Sequence, residues 1–291
     1  MAYIIFNGNV LDNSQPYLDA SNRAFKFGDA GFESIRVVNG GTHNLEAHIQ
    51  RLAEYLKVTR ISTPDYFSAE YFRQQIKKLC ELNQIQLGGR VRLTVFRNGS
   101  GNYSPTDNTA SFVLTAIKLE NNLFKLNHEG ITVDLYTEMK KNQTVLSPYK
   151  SGNSMLYVMA GLHAKDKQWD DCLLVNDKNS VIEASNSNIF LVSNRVLYTP
   201  PITDGCVAGT MRMKIINLAL TNNIKVYESS ITPQHLLMAD ELFLTNSIQG
   251  IRWIGAYKSK RFFNNISNEL VRILNESASN LKLDFQESSI S

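Results

Sequence analysis

The sequence lacks several features that would place it in a specialised class of protein. It has no block of basic residues: 30 Lys and Arg stand against 27 Asp and Glu, for a formal charge of +3. This balance argues against nucleic acid and anionic membranes as partners. No apolar run approaches the roughly 18 residues of a membrane span, and the first residues lack the basic stretch of a signal sequence. We therefore expect a cytoplasmic protein.

Cysteine and histidine are too few and too scattered to hold the chain together or to bind a metal. Cys80, Cys172 and Cys206 form no CxxC pair, so we expect reduced and mostly buried thiols. The 5 histidines show no ligand spacing such as HExxH, so we expect no metal site. The 291 residues include 43% hydrophobic residues, which suffices for one large or two medium domains with real cores.

Periodicity predicts an α/β (α+β) fold in two domains. Strands are predicted over 3–6, 33–38, 90–96, 111–117, 131–136, 172–176 and 188–192. Helices are predicted over 45–57, 67–82, 153–167, 209–221, 233–239 and 264–281. A polar stretch without periodicity follows residue 118. We therefore predict a smaller N-terminal domain over 1–120, a linker over 121–130 and a larger C-terminal domain over 131–291, with a frayed tail over 286–291.

The helix predicted over 153–167 rests on one apolar stripe. Met155, Val158, Met159 and Leu162 recur at helical spacing.

A lysine and a carboxylate in two neighbouring segments carry the chemistry of greatest interest. Lys150 stands among small and polar residues in 147–153 (SPYKSGN), and Glu183 begins 183–190 (EASNSNIF) after a predicted hairpin turn over 177–180. A lysine amine and a carboxylate are the two groups that a pyridoxal phosphate (PLP) site requires, for the Schiff base and for the pyridinium nitrogen. An isolated lysine is usually a solvated surface charge, and the alternative for Glu183 is a carboxylate that faces water at a strand end.

Five stretches occur in the order of a known family. They are 27–36 (FGDAGFESIR), 47–52 (AHIQRL), the Lys150 segment, the Glu183 segment, and 207–212 (VAGTMR) taken with 241–247 (ELFLTNS). Together they resemble the class IV aminotransferase family of fold-type IV PLP enzymes, which includes branched-chain aminotransferases, D-amino acid aminotransferases and 4-amino-4-deoxychorismate lyases. The resemblance spans almost the whole chain. It implies a two-domain fold-type IV enzyme, PLP as cofactor, a small amino-acid-like substrate and a homodimer with sites near the subunit boundary and between the domains.

The resemblance also implies how the cofactor is held. Lys150 is expected to be the catalytic lysine, and Glu183 to pair with the ring nitrogen. The phosphate is expected to contact the backbone amides of Thr210 and Met211, the hydroxyl of Ser247 and the guanidinium of Arg51. Helix N-termini and arginines both suit a phosphate. For Arg51 alone, a surface salt bridge would be the usual interpretation.

The residues expected to bind substrate are Phe32, Arg97 and Asn246. Phe32 resembles residues of the active-site floor in this family, although a core position would explain it equally well. Arg97 opens the glycine-rich stretch 97–103 (RNGSGNY), a loop type that often carries binding groups, and it could bind a carboxylate. An ordinary hairpin tip is the alternative. Asn246 belongs to the 241–247 motif.

The member of the family is predicted from details of these motifs. VAGTMR and 244–251 (LTNSIQGI) resemble 4-amino-4-deoxychorismate lyases, and Ser154 stands where branched-chain aminotransferases carry tyrosine. Against the lyase, the 97–103 loop lacks the second arginine of many lyases. We predict a lyase of folate biosynthesis that releases 4-aminobenzoate and pyruvate. An amino-acid aminotransferase of the D-amino acid or branched-chain type is the alternative, and a non-catalytic binding protein is a remote one.

Overall fold

The computed structural model describes residues 2–279 and divides into two compact units. The first unit comprises residues 2–123, 149–153 and 277–279, and the second comprises residues 124–148 and 154–276. The division after residue 123 falls inside the stretch predicted as a linker, whereas the five residues around Lys150 group with the first unit. The predicted domain limits stay a prediction. The predicted tail over 286–291 and the last two residues of the helix predicted over 264–281 lie outside the described residues.

A six-stranded antiparallel sheet forms the framework of the first unit. Its strands are β1 (Tyr3–Phe6), β2 (Asn9–Asp12), β3 (Ala30–Val38), β4 (Gly41–Thr42), β5 (Gly89–Arg97) and β6 (Ala110–Lys118), in the order β2-β1-β6-β5-β3-β4. Apolar residues alternate along β5, so Val91, Leu93 and Val95 are buried on one face while Arg90 and Arg92 lie half-buried on the other.

Three helices accompany this sheet: α1 (Arg23–Phe27), α2 (Leu45–Val58) and α3 (Ala69–Leu82). The two helices predicted in this part of the chain are α2 and α3, and both are confirmed. Leu45, Leu52 and Leu56 make α2 amphipathic and are buried. The same helix also buries His48 and Arg51, which an apolar pattern does not predict.

A nine-stranded mixed sheet forms the framework of the second unit. Its strands are β7 (Ile131–Tyr136), β8 (Asp171–Val175), β9 (Val181–Ala184), β10 (Asn188–Ser193), β11 (Val196–Thr199), β12 (Val226–Glu228), β13 (Glu241–Asn246), β14 (Gly250–Tyr257) and β15 (Lys260–Arg261). The order is β12-β11-β10-β13-β14-β7-β8-β9, with β15 beside β14. Strands β8 and β9 pair antiparallel, which confirms the predicted hairpin.

The helices α4 (Met155–Asp166), α5 (Thr210–Thr221), α6 (Pro233–Met238) and α7 (Asn265–Ser279) complete the described chain, and each was predicted to within a few residues. None of the helices within residues 2–279 is both long and apolar enough to cross a membrane. Three buried cysteines without disulfides confirm the expected thiols, and burial raises the pKa of Cys80 to about 12.

The apolar stripe of α4 does not face the core of the second unit. Met155 is 66% exposed and Leu162 is 51% exposed, while Ala160 and Ala164 are buried against the sheet. Small side chains allow the helix backbone to approach the sheet closely, so the bulky apolar stripe is left on the outer side of this unit. The stripe is therefore a surface of the second unit and not part of its core.

Candidate active site

The segment that carries Lys150 runs alongside β3 in the first unit. The amide of Phe32 donates to the carbonyl of Lys150 at 2.9 Å, and the amide of Gly152 donates to the carbonyl of Ala30 at 2.7 Å. A Cβ at Gly152 would lie 2.7 Å from the carbonyl oxygen of Gly28, so a larger residue would force this close approach apart. Main-chain bonds to the edge of β3 therefore fix the backbone on both sides of the lysine.

Two cationic side chains lie against the ring of Phe32. Nζ of Lys150 is 5.3 Å from the ring centroid, and the guanidinium carbon of Arg92 is 3.7 Å from it. Burial lowers the pKa of Arg92, whose Nε donates to Oγ1 of Thr94 at 3.3 Å. The structure thus brings Lys150 and Phe32 together with an arginine that the sequence analysis missed. The alternation of Arg90 and Arg92 with apolar residues in β5 was the available signal.

Arg51 is buried in the first unit as the partner of Glu33 on β3. Its Nε donates to Oε1 of Glu33 at 2.8 Å, its Nη2 donates to Oε2 at 2.5 Å, and Nδ1 of His48 lies 2.6 Å from the same Oε2. Arg51 is only 6% exposed, so the alternative of a surface salt bridge is wrong. The phosphate role of Arg51 stays a prediction.

The charge states of Glu33 and His48 follow from their burial and their contacts. Burial acts to raise the pKa of Glu33, but the positive charge of Arg51 and the contact with His48 outweigh it and lower the pKa to about 2. Burial lowers the pKa of His48, so its neutral ring donates from Nδ1 to the carboxylate. Glu33 is therefore an ionised carboxylate with one charged and one neutral partner.

Arg97 is bound by acceptors of the first unit itself. It donates to Oδ2 of Asp29 at 2.9 Å, to the carbonyl of Arg60 at 3.1 Å, to the carbonyl of Thr59 at 2.6 Å and to Oδ1 of Asn108. A guanidinium has five N–H groups, so these contacts engage most of its donors. The geometry favours a structural role at the end of β5, and the predicted carboxylate contact stays a prediction.

Glu183 lies on β9 in the second unit and is 2% exposed, so the alternative of a solvent-facing carboxylate is wrong. Its Oε1 accepts from Nζ of Lys141 at 2.6 Å and from the hydroxyl of Tyr157 at 2.9 Å. Its Oε2 accepts from the amide of Val207 at 2.8 Å. The sequence analysis missed Lys141 and Tyr157, because neither residue belongs to a recognised motif.

In the second unit, the residues predicted to bind phosphate lie at the start of α5 or in contact with it. The helix begins at Thr210, one residue after the predicted start, and Oγ1 of Thr210 lies 2.9 Å from Oγ of Ser247. A Cβ at Gly209 would lie 1.9 Å from Oδ1 of Asn188, so the turn before the helix requires glycine. The side chain of Met211 is buried, and its amide belongs to the first turn, which offers N–H groups to an anion.

Asn246 holds the turn that follows β13. Its Oδ1 accepts from the amides of Ile248 at 3.0 Å and Gln249 at 2.8 Å, and its Nδ2 donates to Oγ of Ser187 at 3.0 Å. These bonds order the backbone on either side of Ser247. The predicted contact of Asn246 with substrate stays a prediction.

The chain belongs to the aminotransferase class IV family. The family model described as amino-transferase class IV matches residues 30–257, a range that contains every residue predicted for the site. The family is PLP-dependent, and relatives of this chain are named as aminotransferases and as aminodeoxychorismate lyases. The chain is accordingly a PLP-dependent enzyme of one of these two kinds.

The relatives divide between the two kinds. The chain is 29% identical over 252 residues to the D-alanine aminotransferase of Bacillus licheniformis, covering 84% of each protein. It is 24% identical over 238 residues to the aminodeoxychorismate lyase of Vibrio harveyi, covering 81% of this chain and 86% of that one. The crystal structure of the branched-chain aminotransferase of Thermoproteus uzoniensis with norvaline superposes with a TM-score of 0.88 at 22% identity, covering 97% of this chain and 96% of that one. This likeness confirms the predicted fold class.

Proposed function

We propose that the chain binds PLP, with Lys150 as the catalytic lysine and Glu183 as the partner of the ring nitrogen. The environment of Glu183 carries this proposal. A carboxylate has about four acceptor sites, and Lys141, Tyr157 and Val207 take three of them. The remaining site is on Oε2, so the carboxylate fits one further N–H donor, as a pyridinium nitrogen provides.

The phosphate contacts that we propose also fit the residues present. In the second unit, the first turn of α5 supplies the amides of Thr210 and Met211, and the hydrogen-bonded hydroxyl pair of Thr210 and Ser247 adds one neutral O–H donor. In the first unit, we retain Arg51 as the charged partner of the phosphate. Its guanidinium donates to Glu33 through Nε and Nη2, and its positive charge suits a phosphate dianion better than a neutral donor does.

Glu183 and Lys150 have separate roles in the reaction that we propose. PLP, when bound, withdraws electrons from the bonds to the substrate's reacting carbon. Glu183 keeps the ring nitrogen protonated, because an anion beside a base raises its proton affinity. The amine of Lys150 takes the proton from the reacting carbon, and the main-chain bonds to β3 hold its backbone for that purpose.

Within the family, we propose 4-amino-4-deoxychorismate lyase activity, which releases pyruvate and leaves 4-aminobenzoate. The VAGTMR motif and Ser154 support this choice. Arg92 supports it as well, because a half-buried guanidinium that lies against the same Phe32 ring as Lys150 suits a substrate with a second carboxylate. The second candidate is an aminotransferase. The higher identity to the D-alanine aminotransferase, 29% against 24% for the lyase, favours it, and Arg92 would suit an acidic amino donor equally.

Adding one substrate at a time to the purified holoenzyme distinguishes the two reactions. With 4-amino-4-deoxychorismate, we expect pyruvate and 4-aminobenzoate in equal amounts over many turnovers, without any keto-acid acceptor. An aminotransferase given an amino donor alone would instead stop after one keto acid per site, with the cofactor left in its amine form. L-Glutamate, D-alanine and L-leucine are the donors to test. If none of the four compounds gives either outcome, an enzymatic role on these substrates is contradicted.

We also propose that the chain forms a homodimer and that the outer stripe of α4 contributes to the contact between copies. Met155, Val158, Met159 and Leu162 expose a contiguous apolar surface on one side of the helix. Covering such a surface with a like surface removes apolar area from water. The cytoplasmic location, and the lack of membrane and nucleic-acid partners, stay predictions.

Charged substitutions on the stripe test this contact. We expect the paired change Val158→Glu and Leu162→Glu to shift the protein from dimer to monomer, measured by light scattering during size-exclusion chromatography. The matched control is Leu220→Glu on α5, since Leu220 is 54% exposed and Leu162 is 51% exposed. A stripe variant that stays dimeric at micromolar concentration would contradict this role for α4, and a monomeric wild type would contradict the dimer itself.

A further inference from the structure

The carboxylate of Glu183 has two partners in the second unit whose purpose the function above leaves unexplained. Lys141 follows β7 in a loop and reaches Oε1 of Glu183 at 2.6 Å. Its side chain is 12% exposed and that of Glu183 is 3% exposed, so this is a nearly buried ion pair. Nζ of Lys141 also lies 5.5 Å from the ring centroid of Tyr157. The lysine is therefore surrounded by protein, unlike most loop lysines.

Tyr157 strengthens the same arrangement as a neutral donor. Its hydroxyl donates to Oε1 of Glu183 at 2.9 Å. Burial raises the pKa of Tyr157, and the negative charge of Glu183 raises it further, so the hydroxyl keeps its proton. Lys141 and Tyr157 both donate to Oε1, so both hold the same edge of the carboxylate. The amide of Val207 holds the other edge while leaving one acceptor site on Oε2.

We propose that Lys141 is a positioning residue that acts through Glu183, serving as its counter-ion and fixing which edge of the carboxylate is presented to the cofactor ring, with Tyr157 as the neutral second anchor. This inference rests on the proposed role of Glu183 toward PLP. Without the cofactor, Lys141 is the cationic partner of a buried anion. With the cofactor, the ring nitrogen supplies a second cation, so the carboxylate depends less on the lysine.

The proposal predicts a difference between the apo and holo forms. Lys141→Met keeps a chain of similar length and removes the charge, so the apo protein should melt roughly 5 °C lower than wild type, because breaking a nearly buried pair is costly. Saturating PLP should restore about half or more of that loss. The upward shift of the melting temperature on adding PLP should thus be larger for the variant than for wild type. Lys141→Arg, which keeps the charge, should lie close to wild type.

A double-mutant cycle separates action through Glu183 from ordinary packing. In a Glu183→Gln background the carboxylate is gone, so we expect Lys141→Met to change the apo melting temperature by less than half of its effect in wild type. Tyr157→Phe removes only a neutral hydrogen bond and should give a smaller loss of the same kind. All melts are run on the full chain, with PLP removed or added.

Each outcome has a distinct meaning. If wild type gives no PLP-induced shift and no bound-cofactor absorbance, the proposed function fails. If wild type responds but Lys141→Met lowers the apo and holo melting temperatures equally, and does so in the Glu183→Gln background as well, the lysine serves packing and the inference is overturned. If Lys141→Met does not fold, Lys141→Arg and Tyr157→Phe decide, since equal losses in both forms for these two would overturn it.

Discussion

Lys150→Ala is expected to abolish turnover and to remove the covalent attachment of PLP that borohydride reduction makes permanent. The variant loses the amine that binds the cofactor and the base that takes the substrate proton, and loss of a nucleophile or base costs on the order of 10³-fold or more. The backbone of this segment is held by main-chain bonds to Phe32 and Ala30 of β3, so the change should not disturb the fold.

Mass spectrometry after borohydride reduction provides the measurement. Wild type should carry one pyridoxyl group per chain, and peptide mapping should place it on residue 150. The matched control is Lys140→Ala, because Lys140 is an exposed lysine that contacts Asn179 and should retain full labelling and activity. A Lys150→Ala protein labelled at normal stoichiometry would refute the assignment, and labelling at a new lysine would show that the amine can be supplied from elsewhere.

Much of the fold was accessible from the sequence because it rests on local periodicity. β5 and α2 were predicted to within a residue, since alternation and helical spacing reflect burial on one face. The elements α1 and β15 were not predicted, because α1 is little more than one helical turn and β15 consists of two charged residues, so neither shows a hydrophobic period. The orientation of α4 was not predicted, for a different reason. Ala160 and Ala164 pack more closely than large residues can, and hydrophobicity alone does not report closeness of approach.

The sequence predicted residues of the candidate site only where they stand in recognisable motifs. Lys150 and Glu183 stand in recognisable segments, but the partners that determine their environment are distant in sequence. Lys141 is 42 residues from Glu183 and Glu33 is 18 residues from Arg51. Ion pairs between distant segments leave no local pattern, so a single sequence identifies the reacting groups better than the residues that orient them.

Arg51→Ala is expected to weaken both the cofactor complex and the fold. If Arg51 holds the phosphate, its loss should reduce PLP affinity by about 2 kcal/mol, because the dianion keeps only neutral donors while the charge of Arg51 is already shared with Glu33. The apo protein should also lose about 3 kcal/mol of unfolding free energy, because Glu33 is left buried with only the neutral ring of His48.

The stability loss should depend on pH in a defined direction. The pKa of Glu33 in the folded protein is lowered from 4.5 to about 2. Its contribution to stability is therefore complete above pH 4.5 and is lost as the pH falls from there toward 2. The difference in unfolding free energy between wild type and Arg51→Ala should be largest near neutral pH and should shrink over that acidic window. Denaturant melts at a series of pH values measure it.

Glu33→Gln separates the two roles of Arg51. This variant removes the carboxylate that holds the guanidinium but keeps the arginine, so it should lower stability while leaving PLP affinity unchanged or slightly increased, since the positive charge is no longer shared. Arg51→Ala should lower both. The measurement is a PLP titration of each apo protein, at a temperature where melts show all of them folded. Equal affinities for wild type and Arg51→Ala would assign Arg51 to the stability of the first unit alone. A loss of affinity as large in Glu33→Gln as in Arg51→Ala would mean that the orientation of the guanidinium, set by Glu33, matters more than its charge.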